Sequence, residues 1–269
     1  MRVDTHLLGS ERGYGELAAS PGVSPAERAA LADIDIGQPA GGRADRLERQ
    51  LVVIFRRLPG ERFALTRCIA GPPDDAGRLT IQFRSLIMSI ADWVQHVRHV
   101  LPALLRAPEL WSETAFEAGQ PLVLPPMQAT SATPTRQAWV LTCMVREGPR
   151  PVLLKGDAAS EDAMLILLAG VSDEDAAHLQ WGLGLGRRVP SLDVATIGIG
   201  ASVPGADVRS INEVSMQSYG SEAVLALPSL RGGDMAEQSF KQQPSVSPRR
   251  PDGDRAAMPW SSLLGAVLL

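Results

Sequence analysis

The alternation of apolar and polar residues predicts several β-strands in the first half of the chain. Residues 62–69 and 78–88 are extended apolar runs, and residues 71–77 between them are mostly glycine, proline and aspartate. Two such runs around a breaker-rich connection predict an antiparallel β-hairpin with a long loop. A further strand or hairpin is predicted around residues 7–19, where glycines permit tight turns.

Two helix starts are marked by residues that can cap the free N–H groups of a first turn. Ser24 is followed by proline and then by Glu27, the pattern of a capping box, and this helix should run to about residue 34. Ser89 is placed to cap a second helix. Its apolar residues fall on one stripe, namely Ile90, Trp93, Val94, Val97, Val100, Leu101, Leu104 and Leu105. Pro102 should kink or interrupt that helix, because proline lacks the N–H donor and clashes with the preceding turn.

The second half of the chain is predicted to mix strands with short helices. Three strands are predicted there, at residues 139–145, 152–155 and 192–199. Ser160 and Ser172 each precede acidic residues that complement a helix dipole, so helices are predicted at residues 161–169 and 173–181. The predicted class is α+β, with a mixed or antiparallel sheet and short flanking helices.

Prolines and polar residues divide the chain into regions. The α+β domain is predicted to span residues 1–235, and the four prolines within residues 120–135 predict a lobe boundary that would allow two lobes. Residues 236–255 contain few aliphatic side chains and cannot bury enough apolar surface to offset their ordering entropy, so a disordered linker is predicted. Residues 256–269 form a short apolar segment, too short for the ~20 residues that span a bilayer.

This C-terminal segment is the candidate partner-binding element. Trp260, Leu264, Val267 and Leu268 follow the i, i+4, i+7, i+8 spacing of one helical face. A tethered amphipathic helix can dock into a groove of another protein. Packing of the same face onto the chain's own domain is the alternative interpretation.

Composition narrows the class of partner. Lysine and arginine together number 26 and aspartate and glutamate 30, a formal net charge of −4, so nothing favours a nucleic acid or an anionic membrane surface. The sequence predicts neither a signal peptide nor a membrane span, and its two cysteines are too few for a disulfide scaffold. These three features together predict a cytoplasmic location. Cys68 and Cys143 lie in apolar, strand-like runs and are predicted to be buried.

The patterns that could carry catalysis are incomplete. The glycine run 182–186 lacks the third glycine of a dinucleotide fingerprint at its required spacing, so a flexible turn is predicted instead. His96 and His99 could face one metal, but no acidic or cysteine ligand lies at the matching helical offset. A solvated helix face beside Gln95 and Arg98 is predicted. We therefore assign no catalytic, cofactor-binding or metal-ligating residue and expect no cofactor.

Three segments of the chain carry motifs in a recognisable order. Residues 8–20 are similar to a pattern G-x-x-x-G-H-x-x-L-x-x-S, residues 62–87 hold two strand motifs around a proline-rich loop, and residues 163–185 hold a short helix before a G-L segment. Together they resemble the N-terminal domain of the bacterial GTPase-associated proteins, adaptors found beside GTPases in predicted conflict or defence systems. Where that family usually has histidine, this chain has Tyr14 and Arg84, so a site built on those histidines would be lost or replaced.

The resemblance and the incomplete catalytic patterns imply the same class of function. We expect a non-catalytic adaptor or scaffold subunit, not an enzyme, that binds partner proteins, with a GTPase or another NTPase as the implied partner. The first alternative is a structural subunit of another assembly, such as a secretion apparatus or an RNA-guided complex. The second alternative is an enzyme with an unrecognised site, which a deep apolar pocket with convergent polar groups would favour.

Overall fold

The computed structural model describes residues 1–10, 14–33, 47, 51–75, 77, 79–129, 135–147, 150–198, 201 and 203–212. All of these belong to one unit, Met1–Gly233, and the predicted linker 236–255 and terminal segment 256–269 lie outside the described residues. The strands of the described part are β1 Arg2–Ser10, β2 Tyr14–Ala19, β3 Val52–Leu58, β4 Arg62–Pro73, β5 Leu79–Ser89, β6 Leu122–Val123, β7 Val152–Lys155, β8 Trp181–Leu185, β9 Val194–Ile197 and β10 Val208–Arg209.

These ten strands form one mixed sheet. Their order is β10-β7-β9-β8-β3-β4-β5-β1-β2, and the short β6 pairs with the start of β1. Helices lie between several of these strands along the chain, so the protein contains both helices and a mixed sheet. The predicted α+β class is confirmed. The lobe boundary near residues 120–135 stays a prediction.

The predicted hairpin is confirmed. β4 and β5 pair antiparallel, from Arg62 opposite Ser89 to Pro73 opposite Leu79. β4 extends further than predicted, so the loop is shorter than the stretch 71–77 suggested. Because these two strands lie at the centre of the antiparallel half, they organise the strands on either side.

The antiparallel half continues on both sides of this hairpin. The strand or hairpin predicted around residues 7–19 is confirmed as the antiparallel pair β1–β2, and β1 pairs with β5. β3, for which the sequence predicted no element, pairs with β4 through the loop 59–61 and with β8 on its other side. β3 therefore joins the two halves of the sheet.

The other half of the sheet is parallel. β9 lies between β7 and β8 and runs parallel to both, and β10 runs parallel to β7. The strands predicted at residues 152–155 and 192–199 are confirmed, the second with narrower bounds. The prediction of a flexible turn at residues 182–186 is wrong, because all but the last glycine of that run lie in the buried β8. A Cβ at Gly182 would lie 2.7 Å from Leu185 Cδ1, so glycine here permits close packing.

The helices of the described part vary in length. They are α1 Pro25–Ala32, α2 (Ile90–Asp92, a π-helical turn Trp93–Val97, and Arg98–Arg106), α3 Glu113–Glu117, α4 Arg136–Glu147, α5 Ala158–Gly170 and α6 Asp173–Ala176, with a 3-10 turn at Pro108–Trp111. The capping box of α1 is confirmed: Glu27 N–H donates to Ser24 Oγ at 3.3 Å, and Ser24 N–H donates to Glu27 Oε2 at 2.8 Å. Ser89 caps α2 as predicted, since Asp92 N–H donates to Ser89 Oγ at 3.0 Å.

α2 continues through Pro102, so the proline does not interrupt the helix, and the kink stays a prediction. The α-helical segment Arg98–Arg106 runs through it, and the buried Leu101 and Leu104 hold this segment against the core. Burial of an apolar face stabilises helices in proteins more than intrinsic propensity does. The irregular turn lies one turn earlier, at Trp93–Val97.

Residues 139–145 form the middle of α4, so the predicted strand is wrong and Cys143 is buried in a helix. Ala138 N–H donates to Thr135 Oγ1 at 3.1 Å, which marks the helix start. Val140, Leu141 and Val145 are all buried in the core. The whole helix is amphipathic at the helical period, a signal that the strand prediction missed.

The two helices predicted after β7 differ from the structure at their ends. α5 begins earlier than predicted, because Asp157 rather than Ser160 caps it, with Ser160 N–H donating to Asp157 Oδ1 at 2.8 Å. α6 ends at Ala176, so Trp181 lies in β8 and its placement in a helix was wrong. The Trp181 side chain is 0% exposed, and its packing in the core outweighs the local helical pattern.

An aromatic cluster fixes α2 on the sheet. Phe55 lies between Phe63 and Trp93, with ring centroids 4.5 and 4.0 Å away, and Trp181 packs at 5.5 Å from Phe55. Trp93 Nε1 also donates to the Ala176 carbonyl at 2.9 Å. Aromatic pairs at these distances stabilise the core beyond their buried area. The cluster orients α2, whose opposite face is the wall of the site described next.

Candidate functional site

One concave surface of the described residues is an open groove between α2, the start of β1 and the segment that follows β6. Its volume is about 970 Å³. We call it the α2–β6 groove. It is lined by Met1, Arg2, Asp92, Gln95, His96, Val97, His99, Val100, Val123, Leu124, Pro125, Pro126, Met127 and Ala129.

One wall of the groove is a face of α2. Its members Asp92, Gln95, His96, His99 and Val100 recur at spacings of three and four residues, so they project along one side of the helix. The π-helical turn lies within this wall. Such turns are uncommon and occur frequently at functional sites.

The π-helical turn is held from the core side by Arg98. Its backbone N–H donates to the Trp93 carbonyl, five residues back. The side chain of Arg98 donates through Nε to the Val94 carbonyl at 2.8 Å, through Nη1 to the Val171 carbonyl at 2.7 Å and through Nη2 to Asp173 Oδ1 at 2.5 Å. Arg98 is buried, so its predicted place on the solvated face is wrong. These hydrogen bonds fix, from the core side, the backbone of α2 that forms the groove wall.

The opposite wall is the proline-rich segment around β6. β6 is anchored to β1 by Arg2 opposite Val123 and Val3 opposite Leu122, and Leu124 N–H donates to the Met1 carbonyl at 2.8 Å. The Val123 side chain is 71% exposed, and Val123 and Met1 are the exposed large hydrophobic residues of the described part. A single exposed aliphatic side chain is ordinary on a protein surface, so Val123 is of interest only for its place beside the groove.

The polar groups of the groove are donors more than acceptors. Both histidines line the groove, and the solvated-face prediction holds for His96, which is exposed like Arg2, but not fully for His99, which is half-buried. Burial, and then the neighbouring Arg98, lower the pKa of His99. Asp92 accepts a hydrogen bond from Ser89 Oγ at 2.7 Å, and in the described residues no hydrogen bond joins Asp92 to either histidine. The polar groups therefore do not form a connected catalytic constellation.

Arg84, where the resemblance expects histidine, is a buried structural residue. It is 5% exposed, and it donates to Gln82 Oε1 through Nε at 3.1 Å and through Nη2 at 2.5 Å. Nη1 donates to the Trp111 carbonyl. Burial lowers the pKa of Arg84, and Glu113 opposes that shift. The guanidinium thus ties β5 to the turn after α2 and has no opening toward a ligand.

Tyr14 and Arg84 are not brought to one site. Tyr14 stands opposite Ser10 on one side of β1, and Arg84 stands opposite Leu7 on the other side. Three residues along a strand correspond to roughly 10 Å. The two positions therefore do not meet across β1.

A second polar cluster, around His6, is buried in the sheet. His6 Nε2 lies 3.1 Å from Glu16 Oε2, and Arg28 Nη1 donates to Glu16 Oε1 at 2.8 Å. Ser85 is opposite His6 in the ladder, and its hydroxyl lies 2.8 Å from Thr66 Oγ1. Serine, histidine and glutamate are the residue types of a nucleophilic triad, but His6 is 1% and Ser85 0% exposed. His6 and Ser85 are therefore out of a substrate's reach, whereas Glu16 lies at the surface.

The described part of the chain shows neither a cluster of metal-binding side chains nor an exposed cysteine thiol. No group of three or more His, Cys, Asp or Glu side chains there could hold a metal ion. Cys68 is buried, as predicted, and burial raises the pKa of its thiol to about 12, which leaves almost no reactive thiolate at neutral pH. Cys143 is buried as well.

The predicted partner-binding residues Trp260, Leu264, Val267 and Leu268 lie outside the described residues.

The α2–β6 groove was not predicted from the sequence. Its wall residues on α2 were noticed only as polar neighbours of the apolar stripe, and the exposed Val123 gave no periodic signal. No helix of the described residues is long and apolar enough to cross a membrane.

Comparison of the chain with models of protein families, with curated proteins and with solved structures finds no match.

Proposed function

We propose that this chain is a non-catalytic, cytoplasmic adaptor or scaffold subunit that binds partner proteins. The observation that carries the proposal is the α2–β6 groove, which joins an exposed aliphatic side chain, Val123, to a buried apolar floor. Concave surfaces lined by apolar side chains with a few polar groups are common binding sites for other molecules. The resemblance to GTPase-associated adaptors supports an NTPase as the partner, in a bacterial conflict or defence system.

The form of the groove favours docking over catalysis. It is open along its length, and a reacting group placed in it would stay in contact with water. Catalytic sites instead exclude water and hold donor and acceptor groups in fixed mutual contact. Here the histidines and Asp92 are separate, and in the connected polar cluster around His6 the His6 and Ser85 side chains are buried out of reach.

The proposal is tested by co-expression with a candidate NTPase chosen from the products of neighbouring genes. We expect the two proteins to elute together in size-exclusion chromatography with light scattering, and we expect nucleotide turnover to belong to the partner. Val123→Asp should weaken the complex at least tenfold, because it places a charge on the exposed aliphatic contact. Ala26→Asp is the matched control, since it adds the same charge on the exposed side of α1, away from the groove.

Two results would contradict this function. One is nucleotide turnover by the purified chain alone that persists through rigorous purification. The other is the absence of a complex with any neighbouring gene product under conditions where both proteins are folded.

We also propose that the C-terminal face of Trp260, Leu264, Val267 and Leu268 contacts the partner. Deleting residues 256–269 should weaken association while leaving the melting temperature of the domain nearly unchanged. Unfolding or aggregation of the truncated protein would show instead that this segment belongs to the core.

A further inference from the structure

We draw no further inference here: the strongest candidate, the open α2–β6 groove between α2, the start of β1 and the segment that follows β6, belongs to the site already described, and nothing in the structure shows what covers it.

Discussion

Replacing Arg84 by methionine tests the conclusion that this residue is a structural tie and not a remnant of a binding site. The side chain is 5% exposed, and its guanidinium bonds Gln82 Oε1 and the Trp111 carbonyl. Methionine retains much of the apolar stem, so the packing loss is small. The two acceptors, however, lose their donor in a buried environment.

The magnitude follows from those two acceptors. Leaving one buried hydrogen-bonding group unpaired costs about 1–3 kcal/mol. Gln82 is 2% exposed and can partly reorient, whereas the Trp111 carbonyl is fixed by the backbone. We therefore expect Arg84→Met to lower the free energy of unfolding by roughly 2–4 kcal/mol.

The assay is urea unfolding of the full chain followed by tryptophan fluorescence. The midpoint should fall while the slope with urea is unchanged, because the surface exposed on unfolding is nearly the same. Arg106→Met, at an exposed position, should change stability by less than about 0.5 kcal/mol. If Arg84→Met were equally harmless to folding but abolished partner binding, Arg84 would belong to a binding site and our interpretation would be wrong.

Three further predictions concern local contacts. Ser24→Ala removes the cap of α1 and should cost about 1 kcal/mol in urea unfolding, whereas Ser24→Asp should retain most of the stability. Glu61 has a φ of 59° in the β3–β4 loop, so Glu61→Gly should raise the unfolding midpoint, and a lower midpoint would refute that strain. Burial lowers the pKa of His6, so the unfolded chain binds that proton more readily than the folded chain. Stability should therefore decline as pH falls below about 6.5, and His6→Gln should flatten the decline.

The elements that the sequence predicted well are those with local signals. The Ser24 capping box, the Ser89 cap and the breaker-rich loop between β4 and β5 each depend on a few neighbouring residues. Their hydrogen bonds and turn geometry are decided within one turn of chain. Tertiary packing has little opportunity to override such signals.

Most of the elements that were predicted wrongly depend on tertiary contacts. Residues 139–145 are an exception: they lie in the middle of an amphipathic helix, but the stretch is too short to show that period, which needs a window of about 11–18 residues. Trp181 was assigned to a helix by its proximity to α6, but the aromatic cluster with Phe55 and Trp93 draws it into β8. β3 pairs with β8, more than one hundred residues later, a partnership that no local pattern encodes.

The groove could not be predicted for the same reason. Its walls come from α2 and from the segment after β6, and only the pairing of β6 with β1 brings them together. From the sequence, the prolines near residue 125 predicted only a boundary. The polar residues of α2 predicted only a helix face in contact with water. Arg98, which is buried on the core side of α2, was wrongly assigned to that face.

The most direct test of the central claim is hydrogen–deuterium exchange of the chain alone and in complex with the proposed NTPase partner. The account predicts at least tenfold slower exchange at residues 93–100 and at the non-proline positions of 122–129, with residues 25–32 of α1 unchanged. Protection confined to another surface, with the amides of the α2–β6 groove exchanging equally fast in both states, would contradict it.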